Sequence, residues 1–555
     1  MVNKFYLQQR EVFFLLGYAT HVFSAIICPY RVLIPNTVSI PSNSLSSDFW
    51  AMVTDIRDRH LDICNRIIRK DPSLLYDDGR FSDNLWKRYD YFHYIHQLYL
   101  LFCDFIERYL GVLFFSYHFT DIQNYLLKEW IVAINPANYF FTNPVALTES
   151  IRSSGETVRR GLNLLSRDIR NIDIGRVPDG HFKVGDNLAT TPGVVVFKTD
   201  LYEIISYNHP SPVHPPIVFF PACVNKFYIL DLQKENSLVR FCLSHGHQVF
   251  MLSWYNRKYF TLKNYVYALI DSMDIIRKIT GYDQLHVLGY CIGGFLLYMA
   301  LMILSSQNRD WVCSATLLTS MINSSYSGIL GSFIQKETID LIKIRSNIDP
   351  VIYGHELSWM FAFIRSDSLV WSYVRERYLM GREAEPFDIL AWNADHIDVS
   401  AIMLAEYLEL LYLKNVLMQD YFFWDGYSIS SKMITCPMYL ISCLRDSIVP
   451  WKSVYSGISS FPNASIRFAL SCAGHTAGVV SPPHNTKRSY FAEDYSFLAK
   501  GKDILSCSPN QGSWWLDWCK WLRQSHAFKN NDHEYPYTPL YKAPGMYVFK
   551  GKANA

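Results

Sequence analysis

The six residues Gly289-Tyr290-Cys291-Ile292-Gly293-Gly294 decide how the rest of this 555-residue chain folds. Before them runs Gln284–Leu288, short and rich in apolar residues, which reads as a buried strand. After them runs Ile292–Leu304, thirteen consecutive apolar or glycine residues, long enough for a buried core helix and too short to span a bilayer. Cys291 therefore sits at the apex of a strand–turn–helix unit. Gly289 and Gly293 keep Cβ atoms out of a tight turn, and the apex residue is held in a strained backbone conformation. A thiol at a helix N-terminus is favoured as thiolate by the macrodipole. The Ile292 backbone N–H points where an oxyanion would form. Taken alone, so short a motif fits a buried cysteine beside a packing-driven turn equally well.

Working outward, the chain from about residue 194 carries further short β-branched and aromatic runs. They fall at Val194–Lys198, Ile217–Phe220, Gln248–Trp254, Ser314–Thr319, Pro437–Ser442 and Ser465–Leu470, several separated by amphipathic helical stretches such as Ser237–Ser244 and Leu262–Thr280. Strands alternating with helices imply βαβ units and a mostly parallel sheet. Asp446 lies just past Pro437–Ser442, and His475 just past Ser465–Leu470. Nucleophile, acid and histidine, each after its own strand, follow the chain order of the α/β-hydrolase triad. In that arrangement His475 takes the thiol proton and Asp446 holds the ring in its productive tautomer. The loop Pro221-Ala222-Cys223-Val224-Asn225-Lys226 follows the strand Ile217–Phe220, and in this fold it supplies the second oxyanion donor, assigned to the Val224 N–H. Cys223 is a candidate to border the pocket, although it reads first as a buried bystander.

The expected architecture is thus an α/β-hydrolase domain over 191–555, with a helical domain over 1–190. Segments such as Trp86–Phe115 space Tyr, Leu and Phe by three and four residues, as a helix requires. The strand–helix alternation lapses between about 320 and 430, which reads as an inserted helical cap. The segment Glu11–Tyr30 is apolar only in patches, broken by Thr20, His21, Ser24 and Pro29, and fits neither a spanning helix nor a signal peptide. Half the residues are hydrophobic and 18% charged, which excludes disorder. A net charge of +2, from 52 basic and 50 acidic residues, gives no field to recommend nucleic acid. The twelve cysteines are scattered without a C-x-x-C pair, so neither a disulfide framework nor a zinc site is expected, and reduced thiols in the cytosol are the simplest reading.

Beyond the triad, the chain resembles the polyhydroxyalkanoate synthases from about residue 75 onward, most closely the type acting without a second kind of subunit. The resemblance rests on G-Y-C-I-G-G at 289, D-S-I-V-P-W at 446 and G-H-T-A-G-V-V-S-P-P at 474. It extends to R-F-S-D-N-L-W at 80, N-Y-F-F-T-N-P at 138, N-L-A-T-T-P-G at 187, N-K-F-Y-I-L-D-L at 225, W-N-A-D at 392, L-Y-L-K-N at 411 and G-S-W-W-L-D-W at 512. Two positions depart from the family pattern, which has His where this chain has Ser447 and Asn where it has Ser481. The resemblance implies a cytoplasmic, granule-associated acyltransferase that polymerises (R)-3-hydroxyacyl groups from coenzyme A thioesters and releases coenzyme A. It implies Cys291, Asp446 and His475 as nucleophile, acid and base, Trp392 and Tyr412 as pocket residues, a homodimer, and no cofactor or metal. The growing polyester and the granule surface are then the partners. A thioesterase of the same fold, passing the acyl group from Cys291 to water, is the alternative. The cap then has a role as a lid that keeps the site dry.

Overall fold

Buried strands whose two faces are both apolar need helices on both sides, and the region around Cys291 is built that way. In a computed structural model, the described residues are 45–71, 73, 76–116, 121–171, 181–207, 209, 212–256, 259–383, 385–498, 503–524 and 538–549. The Glu11–Tyr30 segment lies outside them. An eleven-stranded sheet carries β1 (Val194–Lys198), β2 (Tyr202–Tyr207), β3 (His214–Phe220), β4 (His247–Trp254), β5 (Leu285–Tyr290) and β6 (Val312–Leu318). It continues with β7 (Met438–Cys443), β8 (Ile466–Ser471), β9 (Ser489–Asp494), β10 (Asn510–Gln511) and β11 (Tyr541–Lys542). The spatial order is β10-β9-β8-β7-β6-β5-β3-β4-β2-β1-β11. From β4 across to β8 every neighbouring pair is parallel, and the flanking pairs are antiparallel. The exchange of β3 and β4 in an otherwise sequential order, with β2 antiparallel, is the α/β-hydrolase arrangement expected from the sequence.

The helix Ile292–Ser306 is buried on all sides from Ile292 to Leu304. No described helix is long and apolar enough to cross a membrane. The thirteen-residue apolar run is the buried core helix that its length suggested, and its burial fixes the start of that helix, where Cys291 sits.

The chain divides into two units, Met1–Gly175 with Arg365–Ala384, and Arg176–Ile364 with Glu385–Ala555. In the first, helix Leu45–Ile68 packs on Asp90–Ser116, and Pro144–Arg152 packs on Glu156–Asn171, with Asp121–Ala133 between them in the chain. Phe81, Trp86, Tyr99, Leu100 and Ala137 form a core, with Phe81 and Trp86 edge to face at 4.8 Å. The stretch Trp86–Phe115 is not one helix: Tyr89 is extended (φ −116°, ψ 127°) and separates Leu85–Arg88 from the long helix. Residues Arg365–Ala384, from within the expected cap, group with these helices. There Arg377 forms a buried two-pronged ion pair with Asp168 at 2.7 and 3.0 Å, and the Tyr378 hydroxyl donates to the same carboxylate at 3.0 Å. Replacing either member of such a pair leaves a buried charge uncompensated.

Candidate active site

Cys291 adopts φ 54° and ψ −120°, a conformation that a residue with a Cβ holds only when its surroundings enforce it. The enforcement is visible. The Cys291 N–H donates to the Leu318 carbonyl at the end of β6 at 2.9 Å, and the Cys291 carbonyl accepts from Gly294 N–H and Ser320 Oγ, both at 2.9 Å. Close approach of backbone explains two glycines: a Cβ on Gly289 would stand 2.6 Å from Gly294 Cα, and one on Gly293 2.2 Å from the Phe220 carbonyl oxygen. The second contact shows that the end of β3 lies directly on the first turn of the helix after Cys291. Ile292 is the first residue of that helix, so its N–H has no acceptor within it.

Asp446 and His475 follow β7 and β8, which pair in parallel register up to Cys443 and Ser471. Their loops are tied together by Leu444 N–H to Ser471 O at 2.8 Å and Arg445 N–H to Ala473 O at 3.0 Å. Asp446 Oδ2 meets His475 Nδ1 at 2.6 Å, while Oδ1 accepts the N–H groups of Ile448 and Val449 at 2.8 and 2.9 Å. The carboxylate thus has both oxygens engaged and a fixed orientation. Burial opposes protonation of the His475 ring, but the Asp446 carboxylate and then the nearby Cys291 outweigh it and raise the imidazole pKa. The Tyr290 ring lies beside the imidazole at 5.7 Å between centroids.

The sequence led to all three of these residues, and the fold brings them together at the carboxyl ends of β5, β7 and β8. What holds His475 was not foreseen. It opens the short helix His475–Val479, whose last carbonyls need donors. The Trp514 indole N–H donates to Gly478 O at 2.8 Å and the Trp515 indole N–H to Val479 O at 3.0 Å. Trp518 donates to Thr316 Oγ1 on β6 at 2.8 Å. The stretch G-S-W-W-L-D-W is therefore a clamp behind the histidine.

Of the remaining candidates, Cys223 and Tyr412 lie close to the thiol. Cys223 is fully buried, which pushes its thiol up to about 12, and it lies within electrostatic reach of Cys291. It is a neutral wall at neutral pH. Val224 lies in the same loop and is buried. Tyr412 is close enough to Cys291 and Asp446 for both to raise its pKa, after burial, which acts most strongly. Its ring meets edge to face, at 6.3 Å, that of Tyr407, a buried residue also within reach of Cys291 and Cys223, which the sequence reading missed. In an α-helix residues five apart point about 140° away from each other. Here the helix Ala401–Leu408 runs into the π-helical turn Glu409–Leu413, whose wider winding brings the two rings together. Trp392 is turned onto the backbone after β3, its indole N–H donating to Lys226 O at 2.8 Å. Among the described residues no cluster of His, Cys, Asp and Glu is arranged to hold a metal.

Such an arrangement is equipped for acyl transfer through a thiol. Comparison with known proteins bears on which transfer. Residues 77–242 match the family described as poly-beta-hydroxybutyrate polymerase (PhaC) N-terminus, and residues 215–482 match the alpha/beta hydrolase fold family. The chain is 32% identical over 493 residues to the poly(3-hydroxyalkanoate) polymerase subunit PhaC of Cupriavidus necator, covering 86% of this chain and 83% of that one. It is 31% identical over 492 residues to the protein of the same name from Rhizobium etli, covering 85% and 77%. Among solved structures, a monoacylglycerol lipase of Paleococcus ferrophilus aligns over 50% of this chain and 91% of its own with 12% identity and a TM-score of 0.31.

Proposed function

The chain belongs to the poly(3-hydroxyalkanoate) polymerase family and is a polymerising acyltransferase, and from that premise we propose that Cys291 carries the growing acyl chain as a thioester. In the first half-reaction the Cys291 thiolate attacks the carbonyl of an (R)-3-hydroxyacyl coenzyme A thioester. The new C–S bond forms, the bond to coenzyme A sulfur breaks, and the departing thiolate takes its proton from the His475 imidazolium. One thioester replaces another, so little free energy separates the two. In the second, a 3-hydroxyl attacks the acyl-Cys291 carbonyl. Its proton passes to His475, a C–O bond forms, and the Cys291 thiolate leaves. An oxygen ester is more stable than a thioester, so each elongation runs downhill.

The observation that carries this reading is the joined set of Cys291 at a positive φ, His475 close enough for Cys291 to raise its pKa, and Asp446 at 2.6 Å from the ring. Asp446 has its oxygens occupied by one ring and two backbone N–H groups, which supports His475 as the base for both thiol and hydroxyl, with Asp446 as its orienter. The Ile292 and Val224 N–H groups are the proposed donors to the oxyanion. Both half-reactions are heterolytic acyl transfers whose protons and leaving groups balance on Cys291, His475 and the substrates, so the reading calls for no cofactor. The polymer is insoluble in water, which places the working enzyme at the surface of a polymer granule. Incubation with (R)-3-hydroxybutyryl coenzyme A tests the proposal: free coenzyme A together with polyester is expected, whereas free 3-hydroxybutyric acid in equal amount would make the chain a thioesterase.

A further inference from the structure

Three carbonyls of the loop after β3 are each gripped by a side chain N–H. Trp254 Nε1 donates to Pro221 O at 3.0 Å, Asn256 Nδ2 to Cys223 O at 2.6 Å, and Trp392 Nε1 to Lys226 O at 2.8 Å. The middle grip has a geometric consequence for catalysis. The Cys223 carbonyl and the Val224 N–H belong to one peptide plane, which is trans, so they point in opposite directions. Fixing the carbonyl fixes the N–H. We propose that Asn256 is a positioning residue of the oxyanion hole, locking the Cys223–Val224 peptide so that the Val224 N–H faces the acyl carbonyl on Cys291; this rests on the acyl-transfer reading above.

Asn256 does a second thing with the same amide. Its Nδ2 also donates to the Asp398 carbonyl at 2.9 Å, and its Oδ1 accepts the Tyr265 hydroxyl at 2.7 Å. Both amide hydrogens and the carbonyl oxygen are therefore used, and the side chain cannot flip without losing all three contacts. The segment ending at Asp398 is joined to the loop elsewhere too: Asn225 and His396 form an antiparallel bridge, and the Tyr228 hydroxyl donates to Asp395 Oδ2 at 3.0 Å. Asn256 thus ties the oxyanion donor to the segment carrying Trp392, so that the donor is aligned only when that segment is seated on the loop. Neither Cys291 nor His475 is a hydrogen-bond partner of Asn256, which separates its role from activation of the thiol.

That separation supplies the test. Asn256→Asp keeps the size but presents acceptors to two carbonyl oxygens. Coenzyme A release from (R)-3-hydroxybutyryl coenzyme A is expected to fall roughly 10- to 100-fold in kcat, below the loss from deleting a donor outright, with KM little changed. Alkylation of Cys291 by iodoacetamide passes through no oxyanion, so its rate is expected to stay within about twofold of wild type. Asn256→Ser, which retains one donor, is expected to fall between. Wild-type release by Asn256→Asp, or a loss of alkylation in step with the loss of acylation, would overturn the proposal. A wild-type chain that frees coenzyme A without making polymer would contradict the polymerase reading, while the ratio of the variant's acylation to wild type's still decides on Asn256.

Discussion

Cys291 in a left-handed conformation and His475 bound to a carboxylate with no spare oxygen are the residues on which the chemistry turns. Cys291→Ala removes the acyl acceptor, so coenzyme A release is expected to drop to background while the circular dichroism spectrum is unchanged. Release near the wild-type rate would refute the assignment. His475 has a raised pKa, chiefly through Asp446 working against burial. Its imidazolium, which protonates departing coenzyme A, is therefore present below that pKa and lost as pH rises through it. Asp446→Asn removes the main cause of the rise, so the alkaline limb of kcat/KM for coenzyme A release is expected to move to lower pH by roughly 1 to 3 units. A limb that stays in place would assign it to another group.

Elements put these residues where they act, and the tightest element contact is that of Gly293 with the end of β3. Gly293→Ala sets a Cβ against the Phe220 and Pro221 carbonyl oxygens at 2.2 and 2.6 Å, so the elbow must shift. A loss of about 1–3 kcal/mol in stability by urea unfolding is expected, with release of coenzyme A nearly abolished. Trp515→Phe keeps an aromatic ring but loses part of the buried indole and leaves the Val479 carbonyl without its donor, and about 1–3 kcal/mol is expected to go with the lost hydrogen bond. Most of the sheet was legible, because β1 and β3 to β8 are apolar runs bounded by turns. The strand β2 was not legible: Y-E-I-I-S-Y places Glu203 and Ser206 in a fully buried strand and breaks the apolar pattern. Glu203 is tolerated there because Met546 and Tyr547 N–H donate to it at 3.0 and 3.1 Å and Tyr541 adds its hydroxyl, partners some 340 residues away that no local pattern reveals. The triad was legible since each member follows a strand. Tyr407 and Asn256 were not, because Tyr407 meets Tyr412 only through the π-helical turn that carries Tyr412, and Asn256 holds the loop after β3 through the Cys223 carbonyl, which no local pattern reveals.

Across the whole molecule, burial of charge-capable groups sets the response to acid. His247 at the start of β4 and His286 on β5 are both 1% exposed and lie 5.6 Å apart, ring to ring. Burial lowers their pKa values to about 4 and about 3. The unfolded chain protonates them near pH 6.5 and the folded chain does not, so between those values unfolding takes up protons and stability falls as pH falls. Each contributes a slope of roughly 1.4 kcal/mol per pH unit in that window. Urea midpoints measured from pH 7 to 5 are expected to decline, and less steeply in His286→Asn; an unchanged slope in the variant would place the acid sensitivity elsewhere. One covalent bond, between the acyl group and the Cys291 sulfur, carries the whole reaction. Intact-protein mass spectrometry after incubation with butyryl coenzyme A, which lacks the 3-hydroxyl needed for elongation, is expected to show one added acyl mass, mapped by digestion to the peptide containing Cys291 and missing from Cys291→Ala. Coenzyme A released while Cys291 stays unmodified, or the acyl group found on any other residue, would contradict it.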